Sequence, residues 1–235
     1  MKSFTLFLPA VGLSVLSLLT THHVSASAQA SDDVEIIWHG HSCFELRSAE
    51  GTLVFDPYTG VPGYDPLALK ADLVLSSHGH QDHNYTQAVE LSGKKLTIAI
   101  ETIDTYHDDQ HGAARGGNRI HIITLQGKRI AHLGDLGTTD LTEDQLRELT
   151  DLDVLLIPVG GYFTIDGATA AELVKKLNPD VTIPMHYRDG KIDYREISEI
   201  SPFLEKFSPE EIIRAETNAF IIGDFHNCVL ILKQP

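Results

Sequence analysis

Hydrophobic positions along the chain fall into many short runs broken by turn residues, with few long amphipathic stretches. Val34 to Trp38, Cys43 to Leu46 and Thr52 to Phe55 are apolar-rich runs separated by short turns, and they predict three strands. Asp56-Pro57-Tyr58 through Pro66 is rich in Gly and Pro and reads as a loop. Leu73 to Leu75 predicts a short buried strand, and His83 to Leu91 a helix ending near Gly93, a residue suited to a C-cap. Strands follow at Leu96 to Ile100 and Ile120 to Leu125, and Gln126-Gly127 turns the chain into another, Arg129 to Leu133. Thr142 to Leu149 predicts a helix with a capping threonine and early acids. Val154 to Val159 is a continuous apolar strand. Asp166 can cap a helix over Gly167 to Leu177, which stops before Asn178-Pro179. Val181 to Met185, Ala219 to Ile222 and Val229 to Leu232 complete the strands, and Tyr194 to Phe207 carries a weak helical pattern.

Buried apolar strands interspersed with amphipathic helices predict an α/β protein, a sheet core covered by helices. At its N-terminus Lys2 precedes an apolar stretch, Phe4 to Leu19, and Ala26-Ser27-Ala28 is a small-x-small cleavage pattern, with Ala28-Gln29-Ala30 as a second option. That is the form of a secretory signal peptide over residues 1–28. The run is short for a span and lacks a basic stop-transfer flank, which argues against a membrane anchor. The mature chain, 29–235, is therefore expected to be exported, periplasmic or secreted, with no stable membrane anchor after cleavage. It is long enough to bury one sizeable core and shows no linker or repeat, so a single domain is expected.

Charge narrows the partners. Asp and Glu number 33 against 18 Lys and Arg, a formal net charge of −15. That opposes binding to nucleic acid and leaves a small-molecule substrate as the expected partner. The two cysteines, Cys43 and Cys228, each sit in an apolar strand-like stretch and read as buried thiols rather than a disulfide. Oligomeric state is not legible.

The chemistry concentrates in His78-Gly79-His80-Gln81-Asp82-His83, directly after the Leu73 to Leu75 run and two serines. Crowding three imidazoles and a carboxylate into one turn is unfavourable unless a cation sits among them, and these donors suit zinc, manganese and iron. Metal-type residues recur further on: Glu101-Thr102-Ile103-Asp104-Thr105-Tyr106-His107, with His111 four residues later; Ala131-His132-Leu133-Gly134-Asp135-Leu136-Gly137; and Ile183-Pro184-Met185-His186-Tyr187. Ligands placed at strand ends can converge on one rim of a sheet.

In that order these segments resemble the metallo-β-lactamase superfamily. Trp38-His39-Gly40-His41-Ser42-Cys43-Phe44, His132 to Gly137, Pro158-Val159-Gly160-Gly161 and Ile183 to Tyr187 are similar, more narrowly, to its uncharacterised metal-dependent hydrolase branch, related to the lactone-hydrolase and phospholipase D-like members. The resemblance spans essentially the whole mature chain. It implies a four-layer αββα sandwich with two divalent metals, usually zinc, at one edge of the sheets. His78, His80 and His107 would hold one metal, Asp82, His83 and His186 the other, and Asp135 would bridge them; His111 lies close enough to compete with His107. Two neighbouring cations lower the pKa of a shared water from about 15.7 towards 7, and Asp82 would also orient that nucleophile.

Other residues carry weaker signals. His41 lies in a turn that in the family sits beside the metals, where it would contact substrate or support a ligand; closing the hairpin explains it equally well. Asp56 would orient a ligand histidine, although an Asp-Pro turn also accounts for it. Gly160 and Gly161 would let backbone approach the substrate, or simply make a tight turn. Arg115 and Arg188 could bind a substrate anion, but solvated surface arginines are the simpler expectation. His132 and His121 fit the core, His226 has no partner motif, and His22 and His23 fall in the leader. The expected activity is hydrolysis of a small ester, lactone or phosphodiester. The alternatives are a metal-binding or sensing protein of the same fold without turnover, and a di-iron redox relative, for which no flavin module is visible.

Overall fold

The computed structural model describes Met1, residues 33–188, Gly190 and residues 195–235. The expected leader, apart from Met1, and Tyr194 lie outside the described residues. Ser31–Pro235 forms one compact unit. Its first strands are β1 (Glu35–Trp38), β2 (Phe44–Arg47), β3 (Thr52–Phe55), β4 (Leu69–Ala71), β5 (Leu73–Leu75) and β6 (Val89–Leu91). Then come β7 (Ala99–Tyr106), β8 (Gly117–Leu125), β9 (Lys128–His132), helix α1 (Glu143–Glu148), β10 (Val154–Pro158), helix α2 (Gly167–Leu177) and β11 (Val181–Met185). Helix α3 (Ser201–Leu204), β12 (Ile212–Arg214), β13 (Ala219–Ile221) and β14 (Cys228–Ile231) complete the chain.

The strands form a five-stranded sheet ordered β13-β1-β2-β3-β5 and a seven-stranded sheet ordered β12-β14-β11-β10-β9-β8-β7. The small sheet is an antiparallel meander to which β5 adds in parallel, Phe55 opposite Leu75. The large sheet is parallel from β12 to β9 and antiparallel from β9 to β7. Ile36, Phe44, Leu46, Leu53 and Phe55 from the small sheet share one fully buried core with Ile120, Ile122, Ile130 and Leu155 of the large one. Every residue of β10 and β11 is buried, because helices cover the outer face of the large sheet.

Helix α2 keeps the bounds its sequence predicts. Asp166 accepts the Thr169 N–H at 2.8 Å, and Asn178 ends the helix in the left-handed conformation. Leu173, Val174 and Leu177 face inward, and each contributes roughly 1.5–3 kcal/mol on burial. Thr142 and Gln145 close a capping box on the exposed helix α1.

Strands β4 and β12 are additions to the expected set, and three expected elements differ. His83 to Leu91 is not a helix. His80 O takes the N–H groups of both His83 and Asn84 (3.0 and 2.8 Å), a single 3-10 turn covers Thr86–Ala88, and β6 then pairs with β4. Asn, Tyr and Thr favour helices only weakly, and the extended pairing wins. This ribbon and the 56–66 loop cover the outer face of the small sheet, where Cys43 and Val54 meet Tyr58, Val61, Ala71 and Val89. The helix expected over Tyr194 to Phe207 is confined to α3, because Pro202 is tolerated only in a first turn. The strand expected at Leu96 to Ile100 starts later and runs on to Tyr106; Ile103 and Thr105 point inward while the intervening polar residues face solvent from an edge. Cys43 and Cys228 are both free and buried.

Candidate metal centre

The metal-type residues meet where strands of both sheets end. The His78 to His83 turn follows β5, His107 follows β7, Asp135 lies three residues beyond β9, and His186 follows β11. Asp135 Oδ2 sits 3.2 Å from His83 Nε2, 3.3 Å from His107 Nε2 and 3.3 Å from His186 Nε2. Its backbone is fixed by Asn118, whose side chain accepts the Asp135 N–H (2.9 Å) and donates to Leu133 O (3.0 Å). His78 Nε2 lies 3.0 Å from His80 Nδ1, and the His107 ring lies 4.7 and 5.2 Å from the rings of His78 and His80.

Asp56, fully buried, sets the tautomers behind this cluster. It accepts from Ser77 N (2.7 Å), Ser77 Oγ (2.6 Å) and His83 Nδ1 (2.8 Å). Ser77 Oγ, having given its proton to Asp56, accepts from His78 Nδ1 at 3.0 Å. Both histidines therefore carry hydrogen on Nδ1 and turn Nε2 inward. Without a cation, contacts of 3.0 to 3.3 Å among these nitrogens and the Asp135 oxygen need protons between them, and a metal takes the place of those protons. With metal–ligand bonds of about 2.0–2.1 Å, two ligands on a tetrahedral ion sit about 3.3–3.4 Å apart, so the spacing fits a bound metal. Imidazole and carboxylate donors suit zinc, manganese and iron.

In the metal-free site the carboxylates hold protons on the imidazoles, and a bound metal would displace them. Burial pushes the Asp135 carboxyl up, but His186 and His83 outweigh it and hold it well below the carboxylate range. Asp56 is likewise raised by burial yet brought down to about 2 by His132, His83 and Ser77. Burial lowers His83, but the carboxylates of Asp135 and Asp56 win and raise it well above the ordinary imidazole range. Burial and the neighbouring His83 bring His78 down to about 3. Burial also pushes Asp82 up, and His41 and His83 more than reverse it, so Asp82 stays ionised.

His78, His80, Asp82, His83, His107, Asp135 and His186 all come together. His111 does not: its side chain is 68% exposed and lies 3.5 Å from Asp140 on the surface. His41 does, buried and with its ring 4.4 Å from that of His186. Gly160 and Gly161 follow β10, and Gly160 lies against the backbone of His186. A Cβ on Gly160 would stand 2.2 Å from His186 O, so this glycine serves the packing of the His186 backbone. Arg188 is engaged with Ile197 O and Glu199. His132 and His121 bond the backbone oxygens of Ser42 and Ser76, and His226 pairs with Asp180.

A cavity of about 230 Å³ opens on the cluster, lined by His80, Asp82, His107, Asp135 and His186 together with Arg115 and Phe163. The Arg115 guanidinium lies over the rings of Phe163 (5.5 Å) and Tyr162 (5.7 Å). Its loop is organised by buried Asp108, which accepts the backbone N–H groups of Gln110, Gly112, Ala114 and Arg115. Sequence reasoning missed Ser77, Asn118, Asp108 and Phe163, whose partners are remote in the chain or backbone.

The profile of the β-lactamase superfamily domain matches residues 35–186. The chain belongs to the metallo-β-lactamase superfamily. Among relatives of this superfamily member, a UPF0173 metal-dependent hydrolase of Thermoplasma acidophilum is 32% identical over 190 residues, 66% of this chain and 84% of the relative. One from Enterococcus faecalis is 33% identical over 196 residues, 66% and 86% of the two chains. A solved structure from Thermotoga maritima, described as a candidate Zn-dependent hydrolase of the superfamily, is 28% identical with a TM-score of 0.66, covering 86% of this chain and 100% of its own. These similarities agree with the metallo-β-lactamase fold, in which the outer layer on the small sheet here is loop and ribbon.

Proposed function

We propose that this protein is a metal-dependent hydrolase holding two divalent ions, one at His78, His80 and His107 and one at Asp82, His83 and His186, with Asp135 between them. The observation that carries the proposal is the single Asp135 oxygen 3.2 to 3.3 Å from three imidazole nitrogens. Two such ions supply an activated water and a Lewis acid for a substrate oxygen. The chain's own residues do the rest. Asp56 and Ser77 lock the tautomers of His83 and His78. Asp82, ionised and one-third exposed in the cavity, accepts a hydrogen bond from the attacking group. Phe163 excludes water from one wall.

Arg115 supports a narrower substrate choice among small esters, lactones and phosphodiesters. In a chain of net charge −15 it places a cation beside the centre, against aromatic faces. A substrate with an anionic group fits that position better than a neutral one. The leader pattern at residues 1–28 supports an exported enzyme; N-terminal sequencing of protein from an exporting cell that finds residue 1 intact would overturn that part.

The decisive experiment is metal analysis joined to a screen of lactones, phosphodiesters and β-lactams with a chelator control. Stoichiometric zinc, manganese or iron and chelator-sensitive turnover are expected, with loss of turnover in Asp82→Ala and His186→Ala. Absence of bound metal, or unchanged turnover in both variants, would refute the proposal.

A further inference from the structure

Resting on that metal-dependent reading, we propose that His41 is a direct ligand of the inner metal, so that the two sites are unequal: an enclosed one of His41, Asp82, His83 and His186, and an open one of His78, His80 and His107.

His41 is 1% exposed, yet neither ring nitrogen has a hydrogen-bond partner among the described residues. A neutral imidazole carries one donor and one acceptor, and leaving them unpaired in a protein interior is costly. A histidine buried for packing looks different here: His132, equally buried, bonds Ser42 O through Nε2 (2.9 Å) and accepts the Gly134 N–H through Nδ1 (3.1 Å). His41 instead aims Nε2 at Asp82 Oδ2, 3.6 Å away, and Asp82 Oδ2 is 3.9 Å from His83 Nε2. These separations are too long for hydrogen bonds and close to the about 3.4 Å expected between neighbouring ligands of one ion. One ligand atom each from His41, His83 and His186 falls within 4.8 Å of the other two.

The backbone is built to hold this position. His41 adopts a left-handed φ of 51° in the β1–β2 turn. Its carbonyl accepts the Trp38 indole N–H at 3.0 Å and the His186 backbone N–H at 3.4 Å. The main chains of two ligands, one from each sheet, are thereby joined.

The burial of the two groups differs in the same sense. His41, His83 and His186 are all buried and Asp82 is one-third exposed, whereas in the other group His107 is buried, His78 half-buried and His80 exposed. Closed, ligand-saturated sites retain metal, and sites with an open position exchange ligands and bind substrate. The inner ion, with one more ligand, is therefore the more firmly held, while ligands of both sites face the cavity.

The test reads metal, not turnover. Zinc-loaded protein is mixed with excess chelator and release is followed with a chromophoric zinc indicator. Wild type should release one equivalent fast and one slowly. His41→Ala should speed the slow phase roughly tenfold or more, since losing even an outer-sphere partner of a ligand costs that much, while leaving the fast phase within about twofold. Unchanged slow release would overturn the proposal, whereas a wild type that binds no zinc would overturn the metal reading itself. Should His41→Ala fold poorly by circular dichroism, zinc-edge X-ray absorption on His80→Ala, an exposed position, with one equivalent of zinc decides: three imidazoles support His41 as a ligand, and two overturn it.

Discussion

Asp56→Asn isolates the tautomer lock from the rest of the centre. Asparagine keeps the volume and tolerates the left-handed φ of 44° at this position. The carboxylate accepts three hydrogen bonds, one on Oδ1 from Ser77 N and two on Oδ2 from Ser77 Oγ and His83 Nδ1. An amide has one accepting end. If its oxygen faces Ser77 Oγ and His83, its NH2 meets the Ser77 N–H donor. If it is flipped, NH2 faces His83 Nδ1, and His83 moves its hydrogen to Nε2, where it blocks the inward lone pair. Either arrangement strands at least one buried donor, at a cost of about 1–3 kcal/mol to the metal-free fold. Loss of the ligand's supporting carboxylate should lower metal affinity about 10- to 100-fold, roughly 1.4–2.8 kcal/mol. Urea unfolding in the presence of chelator reads the first quantity, and zinc titration against a chromophoric chelator reads the second. A variant that loses stability but binds both metals within about threefold of wild type would refute the lock and leave Asp56 as a buried turn residue.

Other perturbations probe the remaining parts. Arg115→Ala should raise KM for bis(p-nitrophenyl) phosphate about 10- to 100-fold, the worth of a charged hydrogen bond, and leave p-nitrophenyl acetate turnover within about twofold; equal effects on both substrates would remove the anion-binding role. Gly137→Ala places a Cβ 2.3 Å from the His107 backbone carbon, so it should displace His107 and lower outer-site zinc occupancy in titrations, which an unchanged stoichiometry would contradict. For Asp108, burial raises the carboxyl but four backbone N–H groups outweigh it and bring it from 3.8 to about 2. A depressed folded-state value stabilises above the unfolded one and is lost on acidification, so the protection of amides 110 to 115 in wild type relative to Asp108→Asn should be full above pH 4 and fade towards pH 2; a pH-independent difference in hydrogen exchange would refute it.

What was legible in the sequence is what is encoded locally. Helix α2 starts at an aspartate cap and stops before Asn178-Pro179, both adjacent signals, and its bounds are found as expected. The His78 to His83 turn is likewise one contiguous segment. The supporting residues were hidden because their partners are distant. Ser77 meets Asp56 across 21 positions and Asn118 meets Asp135 across 17, and neither serine nor asparagine carries a signal of its own. The false helix at His83 to Leu91 shows the converse. Its local pattern is weakly helical, and a parallel pairing with β4 that no local window contains overrides it.

Three residues of the centre share a costly backbone. His41, Asp56 and His186 have φ of 51°, 44° and 49°. Two of them directly follow a buried strand residue, Phe55 or Met185, neither exposed at all. A strand that ends inside a core can bring its next side chain sharply onto the sheet edge by one left-handed residue, which explains why strain falls at the points that define the site. Such residues cost roughly 1–3 kcal/mol each when the surroundings must hold them. Against a typical margin of about 5–15 kcal/mol, their sum is large. A bound metal would offset part of it, since a ligand at 100 times its Kd adds about 2.7 kcal/mol. The geometry that makes the site is thus a local weakness of the metal-free fold, and a metal bound there would offset part of that cost.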